Sequence, residues 1–115
     1  MNKKEMDETQ NINNKLRIAK NPIVLEFWRT DCSFCKAMSP IINNLIQKHK
    51  DQIEFIKINV DENTDLAVSC SVSYLPAFIF FNHGRQITSV EGARTEKVFD
   101  DKIKEMLSIK EKETT

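Results

Sequence analysis

The stretch Ile23-Val24-Leu25-Glu26-Phe27-Trp28-Arg29-Thr30-Asp31-Cys32-Ser33-Phe34-Cys35 joins two kinds of sequence. Residues 23–28 are a short apolar run of strand length, β-branched and aromatic, broken by a single carboxylate. They read as a buried strand. After Cys32 the apolar positions recur with a helical period. Met38, Ile41, Ile42, Leu45, Ile46 and His49 take one side, while Lys36, Asn43, Asn44, Gln47 and Lys48 lie mostly elsewhere. Cys32 and Cys35 therefore sit where a strand hands over to a helix. Pro40 falls inside that helix, removes one backbone donor and predicts a kink.

Working outward, residues 53–60 predict a second strand and residues 61–70 a short helix carrying Leu66 and Ala67. Leu75-Pro76 precedes a third strand over residues 77–81. Asn82-His83-Gly84-Arg85 has turn chemistry, and the alternating residues 86–90 complete an antiparallel hairpin. Thr95 can N-cap a last helix with Val98, Phe99, Ile103, Met106 and Leu107 on its apolar side. Upstream, Ile12, Leu16, Ile18 and Ala19 give a weak helical stripe that Asn21 and Pro22 end. Residues 1–10 and 110–115 are polar and expected to be flexible. Strand and helix alternate before the hairpin, so the expected class is α/β, a mixed sheet with helices on both faces.

A chain of 115 residues with 40% hydrophobic content suits one domain over residues 1–115 with a real core. Its 17 basic and 17 acidic residues balance, which argues against nucleic acid as a partner. No apolar run reaches the roughly 18 residues of a membrane span, so no membrane partner is expected. Residues 1–22 lack the run of about 7 to 15 apolar residues of a secretory signal, so the expected location is the cytoplasm. Nothing points to an oligomer, and a monomer is the default expectation.

Three cysteines are too few for the disulfide framework of a small secreted protein. At a helix start, unpaired N–H groups and the positive end of the macrodipole favour a Cys32 thiolate. Cys35, about one turn on, is near enough to close a small disulfide ring. The first is placed to attack and the second to resolve. A zinc site would need two further ligands, and only Cys70, His49 and His83 are candidates, with no second paired spacing. No metal is expected. Cys70 reads as a small buried apolar residue.

The ordered set Phe27-Trp28, Cys32-x-x-Cys35-Lys36, Pro40, Asn59-Val60-Asp61 and Leu75-Pro76-Ala77-Phe78 resembles the thioredoxin family over roughly residues 22–108. The resemblance implies a thioredoxin fold with a four- or five-stranded sheet, the first of the usual five strands not being legible in residues 1–10. It implies that Cys32 is the nucleophile, Cys35 the resolving thiol, and Glu26 the buried carboxylate, usually Asp, that moves the second thiol's proton. Along the strand Val24, Glu26 and Trp28 share a face, and burial disfavours a charged carboxylate there. An ion pair with Lys57 on the neighbouring strand is compatible with that role. The resemblance also implies that Pro76 is cis and faces the cysteine pair, and that it and the backbone of Leu75 form the segment that takes an incoming substrate chain as an added strand. Gly92 matches a glycine beside that surface, where a missing side chain permits close approach. Trp28 is either packed beneath the site or a core aromatic. Lys36 either adds positive charge near the thiolate or is a solvated helix lysine.

Asp31, Ser33 and Phe34 depart from the family's Trp-Cys-Gly-Pro-Cys: Asp31 opposes the thiolate, and the intervening dipeptide bears on reduction potential. The aromatic at Phe34 and the Glu at position 26 also resemble the glutaredoxin, isomerase or oxidant branches. Tyr74 stands where the family often keeps a small residue and is expected to narrow the groove. The leading expectation is a protein-disulfide reductase whose only redox group is the Cys32–Cys35 disulfide, with no other cofactor. Its implied partners are protein disulfides and a flavin thioredoxin reductase drawing on NADPH. The alternatives are a disulfide oxidant or isomerase, and a redox-switched binding module.

Overall fold

In the computed structural model, which describes residues 3–109, strand β1 (Ile23–Trp28) lies inside the sheet and is buried from Ile23 to Phe27. That is what a near-continuous apolar run requires of a strand covered on both faces. It pairs in parallel with β2 (Glu54–Asn59) and antiparallel with β3 (Ala77–Asn82), which pairs antiparallel with β4 (Arg85–Glu91). The sheet order is β2-β1-β3-β4, so the described residues hold the four-stranded arrangement of the two expected.

Helices α1 (Lys3–Ile18), α2 (Ser33–His49), α3 (Thr64–Ser69) and α4 (Glu96–Leu107) complete the fold. Val24, Phe78 and Phe80 meet Met38, Ile42 and Leu45 of α2 and Phe99, Ile103 and Met106 of α4 on one face. Ile23, Leu25, Phe27, Ile58 and Ile79 meet Leu16 of α1 and Leu66 of α3 on the other. Phe78 and Phe99 pack edge to face, centroids 4.7 Å apart.

Three boundaries differ from expectation. Helix α1 begins at Lys3, well ahead of the stripe that starts at Ile12; its Lys, Glu, Met and Gln residues are good helix formers, with no Gly or Pro to stop them. The flexibility expected at residues 1–2 and 110–115 lies outside the described residues. Strand β2 stops at Asn59, whose side chain accepts the Asp61 N–H at 2.9 Å and starts a 3₁₀ turn, Val60–Glu62. Asn63, buried, donates its side-chain amide to the Asn59 carbonyl at 3.0 Å and separates that turn from α3. Helix α2 runs on through the exposed Pro40, where the Lys36 carbonyl loses its helical donor on the solvent side. The β3–β4 turn has positive φ at His83 (54°) and Gly84 (77°), the geometry a two-residue hairpin of this twist needs.

Candidate active site at the Cys32–Cys35 pair

Cys32 is the N-cap of α2, and Cys35 lies in the first turn. Their sulfurs are bonded, with Cα atoms 5.2 Å apart. The Cys35 N–H donates to Cys32 Sγ at 3.0 Å, so one of the orphan donors of the helix start is aimed at the sulfur that would carry negative charge after reduction. Cys35 is 6% exposed, whereas Cys32 is half-buried. Cys32 is thus the sulfur open to a bulky molecule, and Cys35 is shielded behind it.

Glu26 is 4% exposed on the α2–α4 face of β1. Burial pushes its carboxyl above the usual 4.5, and the Lys57 charge opposes this in part. Lys57 is directly opposite Glu26 in the parallel ladder. Its ammonium lies over the Trp28 ring, 5.7 Å from the centroid, instead of closing an ion pair with Glu26. A cavity of about 160 Å³ is lined by Glu26, Trp28, Cys35, Lys36, Ser39 and Lys57. It is large enough for water, and both the Glu26 carboxyl and the shielded Cys35 border it. Trp28 is half-buried and serves as one of its walls.

The second half of the site arrives through the antiparallel ladder. Phe27 is the partner of Ala77, so Pro76 enters the sheet beside the end of β1 from which the cysteine loop departs. The Leu75–Pro76 peptide is cis, and Pro76 is fully buried while Leu75 is half-buried. The Gly92 N–H donates to the Pro76 carbonyl at 2.7 Å. A Cβ on Gly92 would meet nothing within 4 Å in this chain; what favours glycine there is a φ of +81°. Tyr74 and Phe34 are 69% and 62% exposed, and Asp31, Ser33 and Lys36 are exposed around the pair.

Two contacts that hold these loops had no signal in the sequence. Arg29 Nε lies 3.7 Å from Asp61 Oδ2, tying the cysteine loop to the turn after β2. Glu91 accepts the Ser73 N–H at 3.2 Å and steadies the approach to Pro76. Each joins residues remote in sequence and unremarked by type. Among the described residues no three His, Cys, Asp or Glu side chains group as metal ligands. Cys70 is buried at the C-cap of α3, and burial raises its thiol pKa.

The sequence model of the Thioredoxin family matches residues 3–105. The chain belongs to the thioredoxin family. It is 29% identical to Thioredoxin 1 of Synechococcus elongatus over 72 residues, 63% of this chain and 67% of that one. It is 32% identical to the chloroplastic Thioredoxin Y1 of Arabidopsis thaliana over 89 residues, 77% of this chain and 52% of the relative, so the match spans about half of that plant protein. Among solved structures, oxidised mitochondrial thioredoxin 3 of Saccharomyces cerevisiae superposes with a TM-score of 0.76 at 30% identity, covering 83% of this chain and 87% of that one. Thioredoxin-family proteins are dithiol–disulfide oxidoreductases that work through their own cysteine pair without a further cofactor. The bonded Cys32–Cys35 pair at the start of α2 is that redox group here.

Proposed function

We propose that this protein reduces disulfides in target proteins, and the observation that carries the reading is the half-exposed Cys32 bonded to the shielded Cys35 at a helix start. In the reduced protein the Cys32 thiolate attacks one sulfur of a target disulfide. A Cys32–target bond forms, the target disulfide breaks, and its other sulfur leaves as a thiolate that takes up a proton. Cys35 then gives its proton to Glu26 through the water-sized cavity. Its thiolate attacks Cys32 Sγ, releasing the second target sulfur as a thiolate. Two electrons pass to the target, and the Cys32–Cys35 bond seen here is the product. Burial holds the Glu26 carboxyl above its ordinary value, which makes it a better proton acceptor than an exposed glutamate and lets it return the proton when the pair is reduced again.

Targets are held by backbone pairing beside Leu75 and Pro76, as an added strand, with Phe34 and Tyr74 as exposed aromatic contacts and Gly92 leaving the groove open. Reduction of the pair falls to a flavin thioredoxin reductase fed by NADPH. The working compartment is the cytoplasm, where thiols are kept reduced. No helix among the described residues is long and apolar enough to cross a membrane.

Turbidity of insulin with dithiothreitol tests the chemistry. The protein accelerates precipitation and Cys32→Ser does not, while Cys35→Ser accumulates a mixed disulfide with the target. Equilibration with glutathione tests the direction. A potential near about −270 mV is expected, and one near or above about −200 mV would make the protein an oxidant or isomerase and overturn the reductase reading.

A further inference from the structure

Most charged side chains around the cysteine pair are already engaged: Arg29 with Asp61, Lys57 over the Trp28 ring, and Glu91 with the Ser73 N–H. Asp31 is not. It is exposed and has no hydrogen-bond or ion-pair partner among the described residues. One peptide bond joins it to Cys32, the sulfur open to a bulky molecule. Lys36, exposed at the same helix start, lines the cavity that Glu26 and Cys35 border, and neither Asp31 nor Cys32 belongs to that lining.

Two aromatic rings accompany that carboxylate. Phe34 stands two residues beyond Cys32, Tyr74 leads into Leu75–Pro76, and both are exposed. The face of an aromatic ring carries partial negative charge and attracts ammonium and guanidinium groups. On reduction the Cys32 thiolate adds a second full negative charge beside Asp31, against roughly half a positive charge from the helix start. An incoming target therefore meets a carboxylate, a thiolate and two ring faces, and each of them favours a cation.

We propose that Asp31, with Phe34 and Tyr74, selects target disulfides flanked by lysine or arginine. The inference rests on the reading that the Cys32 thiolate attacks target disulfides, and it names the class of target which that attack prefers. The basic side chain of the target lies against the Asp31 carboxylate and a ring face while its backbone pairs beside Pro76. Acidic residues flanking a target disulfide meet like charge and are disfavoured. The same carboxylate opposes thiolate formation at Cys32. Asp31 thus lowers reactivity toward every disulfide and discriminates among disulfides by charge.

Stopped-flow kinetics of the reduced full chain with three small disulfides test it: cystamine, a dication; hydroxyethyl disulfide, uncharged; and dithiodipropionate, a dianion. In each case the probe's disulfide bond is exchanged for a Cys32 mixed disulfide and one thiolate leaves. The cystamine-to-dithiodipropionate rate ratio cancels the general gain in thiolate that Asp31→Asn brings. Asp31→Asn is expected to lower that ratio by about fivefold at low salt, and Asp31→Glu to keep it. Added salt should bring the wild-type ratio down toward the Asp31→Asn value. With disulfide peptides that differ only in arginine or glutamate flanks, the wild type is expected to prefer arginine, and the double variant Phe34→Leu, Tyr74→Leu to narrow that preference by about threefold. A ratio unchanged in Asp31→Asn would overturn the proposal and leave the reductase reading intact. So would a wild type that prefers dithiodipropionate, or one that reduces the two peptides at equal rates. Failure to react even with hydroxyethyl disulfide would overturn the reductase reading itself, and this inference with it.

Discussion

At Glu26, burial and charge pull in opposite directions, and burial wins. The carboxyl is held above its ordinary 4.5 in the folded protein, so between pH 4.5 and its folded value the unfolded chain ionises more readily than the native one. Native stability is therefore expected to fall as pH rises through that window and then to level off. Glu26→Gln should abolish the fall and leave the protein more stable at neutral pH, read from urea midpoints across pH. The same variant should slow the resolving step by about 10²-fold, the low end of general-base effects, and remove the matching limb of the pH–rate profile. A wild-type midpoint that climbs with pH across the window would show that Lys57 outweighs burial. The sequence placed Glu26 among apolar neighbours and opposite Lys57. It could not show that the lysine would settle over Trp28 and leave the carboxylate without an ion pair.

Element boundaries followed local chemistry wherever one residue type dominates. Thr95 was readable as an N-cap, and its Oγ1 accepts the Val98 N–H at 3.4 Å to open α4. Because α4 carries Phe99, Ile103 and Met106 into the core, a frayed start costs packing as well as a hydrogen bond. Thr95→Ala is expected to lower stability by about 1 kcal/mol and Thr95→Ser to restore most of it, measured by chemical denaturation. An unchanged midpoint in Thr95→Ala would mean that packing alone holds the first turn. The division between the 3₁₀ turn and α3 was hidden, because it depends on the buried Asn63 amide reaching back to the Asn59 carbonyl. Polar residues in a short amphipathic stretch look alike until burial decides which of them must find a partner. The early start of α1 was hidden for the opposite reason: propensity without an apolar stripe leaves little periodic signal.

For the molecule as a whole, stability rests on two apolar layers that share one sheet. Phe78 lies at the centre of the α2–α4 layer against Phe99. Phe78→Ala should cost about 3–5 kcal/mol, a large part of the roughly 5–15 kcal/mol available to a small domain. A guanidinium titration would show a much lower midpoint with an unchanged slope, and a loss under about 1 kcal/mol would mean that the layer can collapse around the gap. The sequence by itself determined the α/β class, the strand-to-helix handover that carries Cys32 and Cys35, the hairpin and the last helix, because strand and helix periods and caps act within about a dozen residues. Only the tertiary structure decided that a cavity links Glu26 to Cys35, that the Lys57 ammonium lies over Trp28, and that Arg29 reaches Asp61. Those features arise where segments far apart in the chain meet, and the free energy that brings them together is burial summed over the whole sheet, which no local pattern records.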